Sequence, residues 1–597
     1  MKRVLGVFVL AVAALLLATM ANAQTNGLVS SGSPANNTPQ NHQNEPAVAM
    51  DANSPVTLVA GANDFVDNQP CPKSFAVNQG TCLDRATGVG GSGVYLSFDR
   101  GHSWTQPPYT GWTTGDCDPL NPCKGHVGTI HTLPWYYENQ LVSFGDPGLA
   151  VGPVPKSDGT FSWANGERVY YANLTTAFST QVEFSFPNPV FNGFVGVAVS
   201  RLDNPTPASV RRKASWQPPV IVSSHQGQTS FQDKEQIWAD NASSSPFFGH
   251  VYICSNDFRS NAAHQNANSP TPVLAFSSSD GGTSWTKAQV TSATTNNHGS
   301  AQNAFGYSGC TIRTDSHGVV YMFAERFASP AGGLPTHSEH VMFQSFDGGK
   351  HWTKPKVIAH VTDPCYFVDP VEGRCVMDGF SGARTDLSAS PSVSIANGAP
   401  SGRGATNEII DAWAEAPVLN HEVTNVALSR DGGTSWSAPQ AVSLPGDRPL
   451  YAAPAIAPDG SRVYVVYEAD MAPWAGDDFQ SPRPYRGVLV SSALNSQGAP
   501  TGWTTDYTET PGDLRATYPG HDLYQERVGD YVYAAASADY GIGVWTSARD
   551  AGVCDAAQSY RASSFAAGHL ALPGAPWPLT DCPPNFGNTN IEAVSTG

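Results

Sequence analysis

Ser345-Phe346-Asp347-Gly348-Gly349-Lys350-His351-Trp352 spells the pattern S-x-D-x-G-x-x-W, which also runs from Ser97 to Trp104, Ser278 to Trp285 and Ser429 to Trp436. A spelling that returns in this way marks a repeat architecture. Each residue type has a mechanical reason to be there. The Asp carboxylate can accept from backbone N–H groups a few residues on, and the Gly allows a backbone that a Cβ would penalise, so the pattern predicts a tight hairpin corner. The Ser hydroxyl and the Trp fasten that corner, the indole by burying apolar surface worth about 2–3 kcal/mol. These are read as folding residues, not catalysts.

Outward from the corners, a common grammar appears: an opening residue, an apolar strand, a second strand rich in Val and Tyr, and a third strand leading to the corner. The openings fall at Glu45, Asp146, Asp233, Gly309, Ser390, Ala453 and Asp530. The expectation is an all-β chain: a single β-propeller of about seven four-stranded blades, six being the alternative, because each blade leans only on its neighbours. Long insertions lie at 64–93, 111–137 and 364–384, each holding a candidate disulfide, and such loops on an ordered disc are usually functional.

The four corners resemble Asp-boxes, or bacterial neuraminidase (BNR) repeats, of the sialidase superfamily. That resemblance implies a propeller with boxes joining the third and fourth strands on the face away from the active site. It also implies glycosidase chemistry with three Arg on the substrate carboxylate, a Tyr nucleophile activated by a Glu, and an Asp acid/base. The Phe/Tyr-Arg-Ile-Pro motif that carries the first of those Arg is missing; the corresponding stretch reads Asn44-Glu45-Pro46-Ala47.

Met1 to Ala23 reads as a secretory signal peptide: Lys2 and Arg3, an apolar run, then Ala21-Asn22-Ala23. Residues 24–43 are polar and read as a flexible leader, and 44–597 as the propeller. No other stretch has the run of about 20 apolar residues a spanning helix needs. A secreted, periplasmic or extracellular protein follows, and its 10 cysteines suit disulfides there. Neighbours in sequence are the simplest partners: Cys71 with Cys82, Cys117 with Cys123, Cys365 with Cys375, Cys554 with Cys582, and Cys254 with Cys310. The net charge of −18 opposes nucleic acid and anionic membranes as partners. A monomer acting on a glycan or glycoconjugate is expected.

In a propeller the first strand of every blade lines the central channel. The openings therefore predict carboxylates around one rim: Glu45, Asp146, Asp233, Glu235 and Asp530. Such a rim can supply an acid and a base for hydrolysis, and its oxygens would also suit a structural Ca2+. Otherwise no cofactor or metal is expected; the bland reading has each carboxylate capping its own turn or pairing with Lys234 or Arg527. Asp146, Asp233, Glu235, Tyr524 and Glu526 are the catalytic candidates, Tyr524 and Glu526 being the Tyr and Glu placed directly before an inner strand. Glu45, Arg313, Arg384, Arg527, Asp530 and Trp135 are the substrate-binding candidates, with Trp135 offering a flat face to a sugar ring. The functional expectation is a propeller that acts on or binds glycans, with glycosidase chemistry of an exo-sialidase-like kind at the channel mouth. The alternative is a non-catalytic carbohydrate- or protein-binding propeller.

Overall fold

The computed structural model describes residues 26–34, 39–69, 86–118, 121, 123–178, 195–223, 230–259, 271–292, 306–327, 337–368, 375–377, 384–385, 387–476, 478–518, 523, 528–568 and 572–597. Their strands form seven antiparallel blades, the first six running in strand order from the channel outward. The innermost strands are Gln43–Met50, Gly148–Pro153, Ser230–Ala239, Gly306–Thr314, Ser392–Ile395, Arg448–Ile456 and Tyr533–Ala536. Each packs beside the next, and the last packs against the first, so the ring is closed.

Closure uses both chain ends. Asn26–Leu28 pairs antiparallel with Asn590–Ser595, so the seventh blade takes its outermost strand from the N-terminal part of the chain. This corrects the sequence reading of 24–43 as a loose leader: Asn26 also donates from Nδ2 to Glu592 Oε2 at 2.9 Å, and Asn41 is fully buried. Composition alone hid the strand because its partner lies at the other end of the chain.

The four corners repeat one set of bonds. Ser97, Ser278, Ser345 and Ser429 donate from Oγ to the Asp Oδ1 two residues on, at 2.8–2.9 Å. Each Oγ also accepts from the N–H of Gly101, Gly282, Gly349 or Gly433 at 2.9 Å. The Trp indole then donates to that glycine's carbonyl. These glycines have φ between +78° and +88°, which only a residue without a Cβ adopts freely. The Trp rings close the seams between blades: Trp104 packs with Ile542, Val544 and Ile591 of the seventh blade, and Trp436 stands edge-on to Phe323 of the fourth.

Successive antiparallel strands alternate their turns between the two faces of the disc. The four Ser-Asp-Gly-Trp corners, called boxes for brevity, and the turns after the innermost strands share one face. The long insertions and the approaches to the innermost strands share the other. Disulfides Cys117–Cys123, Cys365–Cys375 and Cys554–Cys582 tie the segments on that second face, and Cys254–Cys310 joins blades three and four. The expected Cys71–Cys82 pair and the signal peptide lie outside the described residues.

Candidate functional site

The innermost strands of blades one, three, four and six begin with a register shift. The residue that makes the bend in blades one to four has a left-handed backbone: Glu45 at φ 56°, Asp146 at 52°, Lys234 at 58° and Gly309 at 56°. The same device in successive blades aims successive side chains at one place, the channel mouth. At Gly309 there is no side chain to aim, and a Cβ there would meet Ser390 Oγ at 2.5 Å. That gap leaves a pocket of 70 Å3 lined by Lys234, Glu235, Gly309, Tyr451, Asp530 and Tyr531 among others.

Lys234 stands in the middle of the converging acids. Its Nζ lies 2.7 Å from Asp530 Oδ2, 3.5 Å from Asp146 Oδ2 and 3.7 Å from Asp233 Oδ1. Burial alone would lower its pKa, but Asp233, Asp530 and Asp146 more than reverse that and hold the ammonium charged. Carboxylate oxygens of Asp146, Asp233 and Asp530 face this ammonium. Arg384 reaches the mouth from the disulfide-tied 364–384 insertion and donates from Nη2 to Asp530 Oδ1 at 2.7 Å, with Glu45 Oε1 at 3.5 Å. Asn63 stitches the rim: its Nδ2 donates to Glu45 Oε2 at 2.6 Å and its Oδ1 accepts from the Asp146 N–H at 2.8 Å.

Five carboxyl groups therefore share two cations, and burial decides which keep their protons. Glu235 is 4 % exposed, and neither of its carboxyl oxygens has a hydrogen-bond partner. Burial first, and Asp146 next, push its pKa well above the usual carboxylate range. Burial also raises Asp146, against the pull of Lys234 and a hydrogen bond with Glu45. Tyr531, whose ring lies 5.7 Å from Lys234 Nζ, is raised by burial and by Asp146, so it is a phenol and a donor. A buried carboxyl with a raised pKa beside carboxyl groups paired with cations, at the edge of a pocket, is the arrangement that acid–base chemistry uses.

The structure thus brings Glu45, Asp146, Asp233, Glu235, Arg384 and Asp530 together, while Lys234, in the sequence only a salt-bridge partner, proves to be the hub. Arg313 is elsewhere, four residues beyond the bend of its strand and roughly 13 Å further along the channel at about 3.3 Å per residue. Trp135 lies on the second-face loops, where its indole N–H donates to the carbonyls of Lys213 and Trp216 at 3.0 Å and Lys213 Nζ sits 4.6 Å over its ring. Tyr524, Glu526 and Arg527 lie outside the described residues. Sequence reasoning missed Asn63 and Tyr531: Asn63 sits on a second strand, where only the register opposite Asn44 reveals its aim. Among the described residues, the group with ligand atoms close enough for a metal is Cys117, Cys123 and His126, and its two cysteines are joined to each other.

No family model matches the chain, and no curated protein matches it. Similar solved structures are mainly sialidases and other glycoside hydrolase propellers. The Hadza microbial sialidase Hz136 is 10 % identical with a TM-score of 0.36, over 69 % of this chain and 65 % of its own, so the chain spans slightly less than two thirds of that protein. The intramolecular trans-sialidase from Ruminococcus gnavus is 12 % identical over 73 % of this chain and 93 % of its own, with a TM-score of 0.39. The α-L-arabinofuranosidase Arb93A from Fusarium graminearum is 13 % identical over 77 % and 94 %, with a TM-score of 0.35. These likenesses stop short of fixing a substrate or a reaction for this chain. By its own strand order and ring closure, the chain is a seven-bladed β-propeller.

Proposed function

We propose that this is an exported propeller that acts on glycans at the mouth of its channel, using Glu235 as the proton donor to a glycosidic oxygen. The observation that carries the reading is the unpartnered, buried carboxyl of Glu235 lining the mouth pocket. Natural folds leave few buried polar atoms unpaired, and those they leave are often functional. In this reading a leaving-group oxygen supplies the missing partner and takes the proton. Asp233, among the more exposed carboxylates of the rim, activates the water or stabilises the positive charge that develops on the sugar. Lys234 and Arg384 hold the other carboxyl groups in place. The apolar segment before Ala23 and the disulfides support export.

A second reading has a specific observation behind it. Lys234 and Arg384 already pair Asp146, Asp233, Asp530 and Glu45, as a purely structural or sugar-binding rim would require. One experiment separates the two. Purified protein and its Glu235→Gln variant are incubated with a panel of aryl glycosides, including sialosides and arabinofuranosides, and with native oligosaccharides. The enzyme reading expects turnover that the variant loses by on the order of 10²–10⁴-fold. Saturable glycan binding without turnover in the unaltered protein would favour the binding module.

A further inference from the structure

Gln236 and Tyr533 line both the mouth pocket and a second, larger chamber of 330 Å3 beyond it, and so stand at the boundary between the two. The second chamber is bounded by the far ends of the innermost strands and the turns that follow them, so it opens on the face that carries the boxes. Its walls combine apolar side chains, Ile237, Ile395, Ala455 and Ala535 among them, with polar ones such as Asn241, Ser394 and Asn397. Two arginines line it, the exposed Arg403 and the half-buried Arg313. The Arg313 guanidinium lies 4.9 Å from the Trp238 ring, and its Nη1 donates to Gln236 Oε1 at 3.1 Å and to the carbonyl of Ile312 at 2.8 Å.

Those acceptors are neutral, and both take the same nitrogen. Arg168, Arg384 and Arg448, also buried, reach carboxylates, on Asp203, Asp530 and Glu422, whereas Arg201 donates to the Thr283 hydroxyl and Arg561 to the carbonyls of Leu523, Arg515 and Thr517. Among the described residues, no carboxylate pairs with Arg313. Burial draws its pKa down to about 10, the mark of a cation short of compensation. Burying an uncompensated charge is costly, and an incoming anion relieves that cost. The Trp238 face and the Ile312 carbonyl hold the planar fork still, which suits two parallel bonds to a carboxylate better than one bond to a spherical ion. The volume is at the small end of small-molecule pockets, and the apolar side chains beside Arg313 suit a compact body with few polar groups. The exposed Asp459, Asp539 and Arg403 also line the chamber.

We propose that this chamber is a binding site for a small monocarboxylate with a compact apolar body, its carboxylate held by the Arg313 guanidinium and its body by the walls around Ile237 and Ile395. The site is separate from the channel mouth and stands whether or not the mouth is catalytic.

Isothermal titration of the whole chain with benzoate, and with benzamide as its uncharged counterpart, tests it. Benzoate is expected to bind saturably and at least about tenfold tighter than benzamide, a difference near 1.4 kcal/mol. Arg313→Gln removes the charge, and Ala535→Trp fills the chamber with Arg313 intact; each is expected to weaken benzoate at least about tenfold. Thermal melting establishes that each variant is folded, and Ala535→Trp carries the test alone where Arg313→Gln does not fold. Benzoate binding no tighter than benzamide, undiminished in either folded variant, or displaced equally well by sulfate would overturn the proposal.

Discussion

Lys234 shows how one residue can be surrounded by opposite charge and still be structurally indispensable. Its side chain is 8 % exposed and faces Asp146, Asp233 and Asp530. Removing one partner of a buried ionic cluster leaves the others uncompensated, which costs about 3–5 kcal/mol. Lys234→Met is therefore expected to lower unfolding free energy by that amount at pH 7, read from urea melts. The loss should shrink toward pH 5, because Asp146, already raised by burial, then takes up a proton instead of staying charged and unpaired. A variant as stable as the parent at pH 7 would show that the rim does not need its ammonium. Arg384→Met probes the same rim from the insertion and differs in kind, since Arg384 serves Asp530 and Glu45 from outside the ring of blades.

At the scale of the element, the box corners and the bends at the channel mouth were legible in the sequence to different degrees. Asp280 and Trp285 announce their corner directly because all its bonds close within a few residues, and local chemistry is what a sequence displays. The Ser278 hydroxyl donates to Asp280 and accepts from the Gly282 N–H, so Ser278→Ala breaks two bonds in a buried corner. About 1–2 kcal/mol should be lost, seen as a lower urea midpoint with unchanged slope. Activity at the mouth should be unaffected, since the box lies on the opposite face; a change there would contradict the placement. The mouth was legible as a set of openings, because an acidic residue before an apolar strand marks the start of each innermost strand at Glu45, Asp146, Asp233 and Asp530. Asn63 and Tyr531 were not, since their aim depends on the partner strand and on the twist between blades. The strand Asn26–Leu28 was hidden for the same reason, its partner Glu592 lying at the far end of the chain. Arg313 was read as a mouth residue because it follows a blade opening; counting along the strand past the bend places it in the other chamber.

For the whole molecule, closure by two chain ends makes a ring with a wet mouth, an interior channel and many buried acids. Burial pushes Asp240 and Glu592 up to about 7 and Asp51 up to about 6, from 3.8 for the aspartates and 4.5 for the glutamate. A carboxyl whose folded value is raised stabilises the fold fully below its unfolded value and loses that contribution as pH rises through the folded one. Stability should accordingly fall from pH 5 to pH 8, and urea midpoints across that range measure it. The box aspartates act at the other end of the scale: Asp431 is held at about 2 by bonds from Ser435, so its contribution is present above the ordinary aspartate value and fades in strong acid. A midpoint that rose steadily from pH 5 to pH 8 would mean that these interior acids are charged in the fold.

The central claim is that the propeller holds a proton on a carboxyl at its channel mouth, beside the carboxyl groups that surround Lys234. Infrared difference spectroscopy of the carboxyl C=O stretch at neutral pH, between the unaltered protein and Glu235→Gln, addresses that proton directly. The account predicts a protonated-carboxyl band in the unaltered protein that the variant lacks. A difference spectrum showing instead the loss of an ionised carboxylate would contradict it.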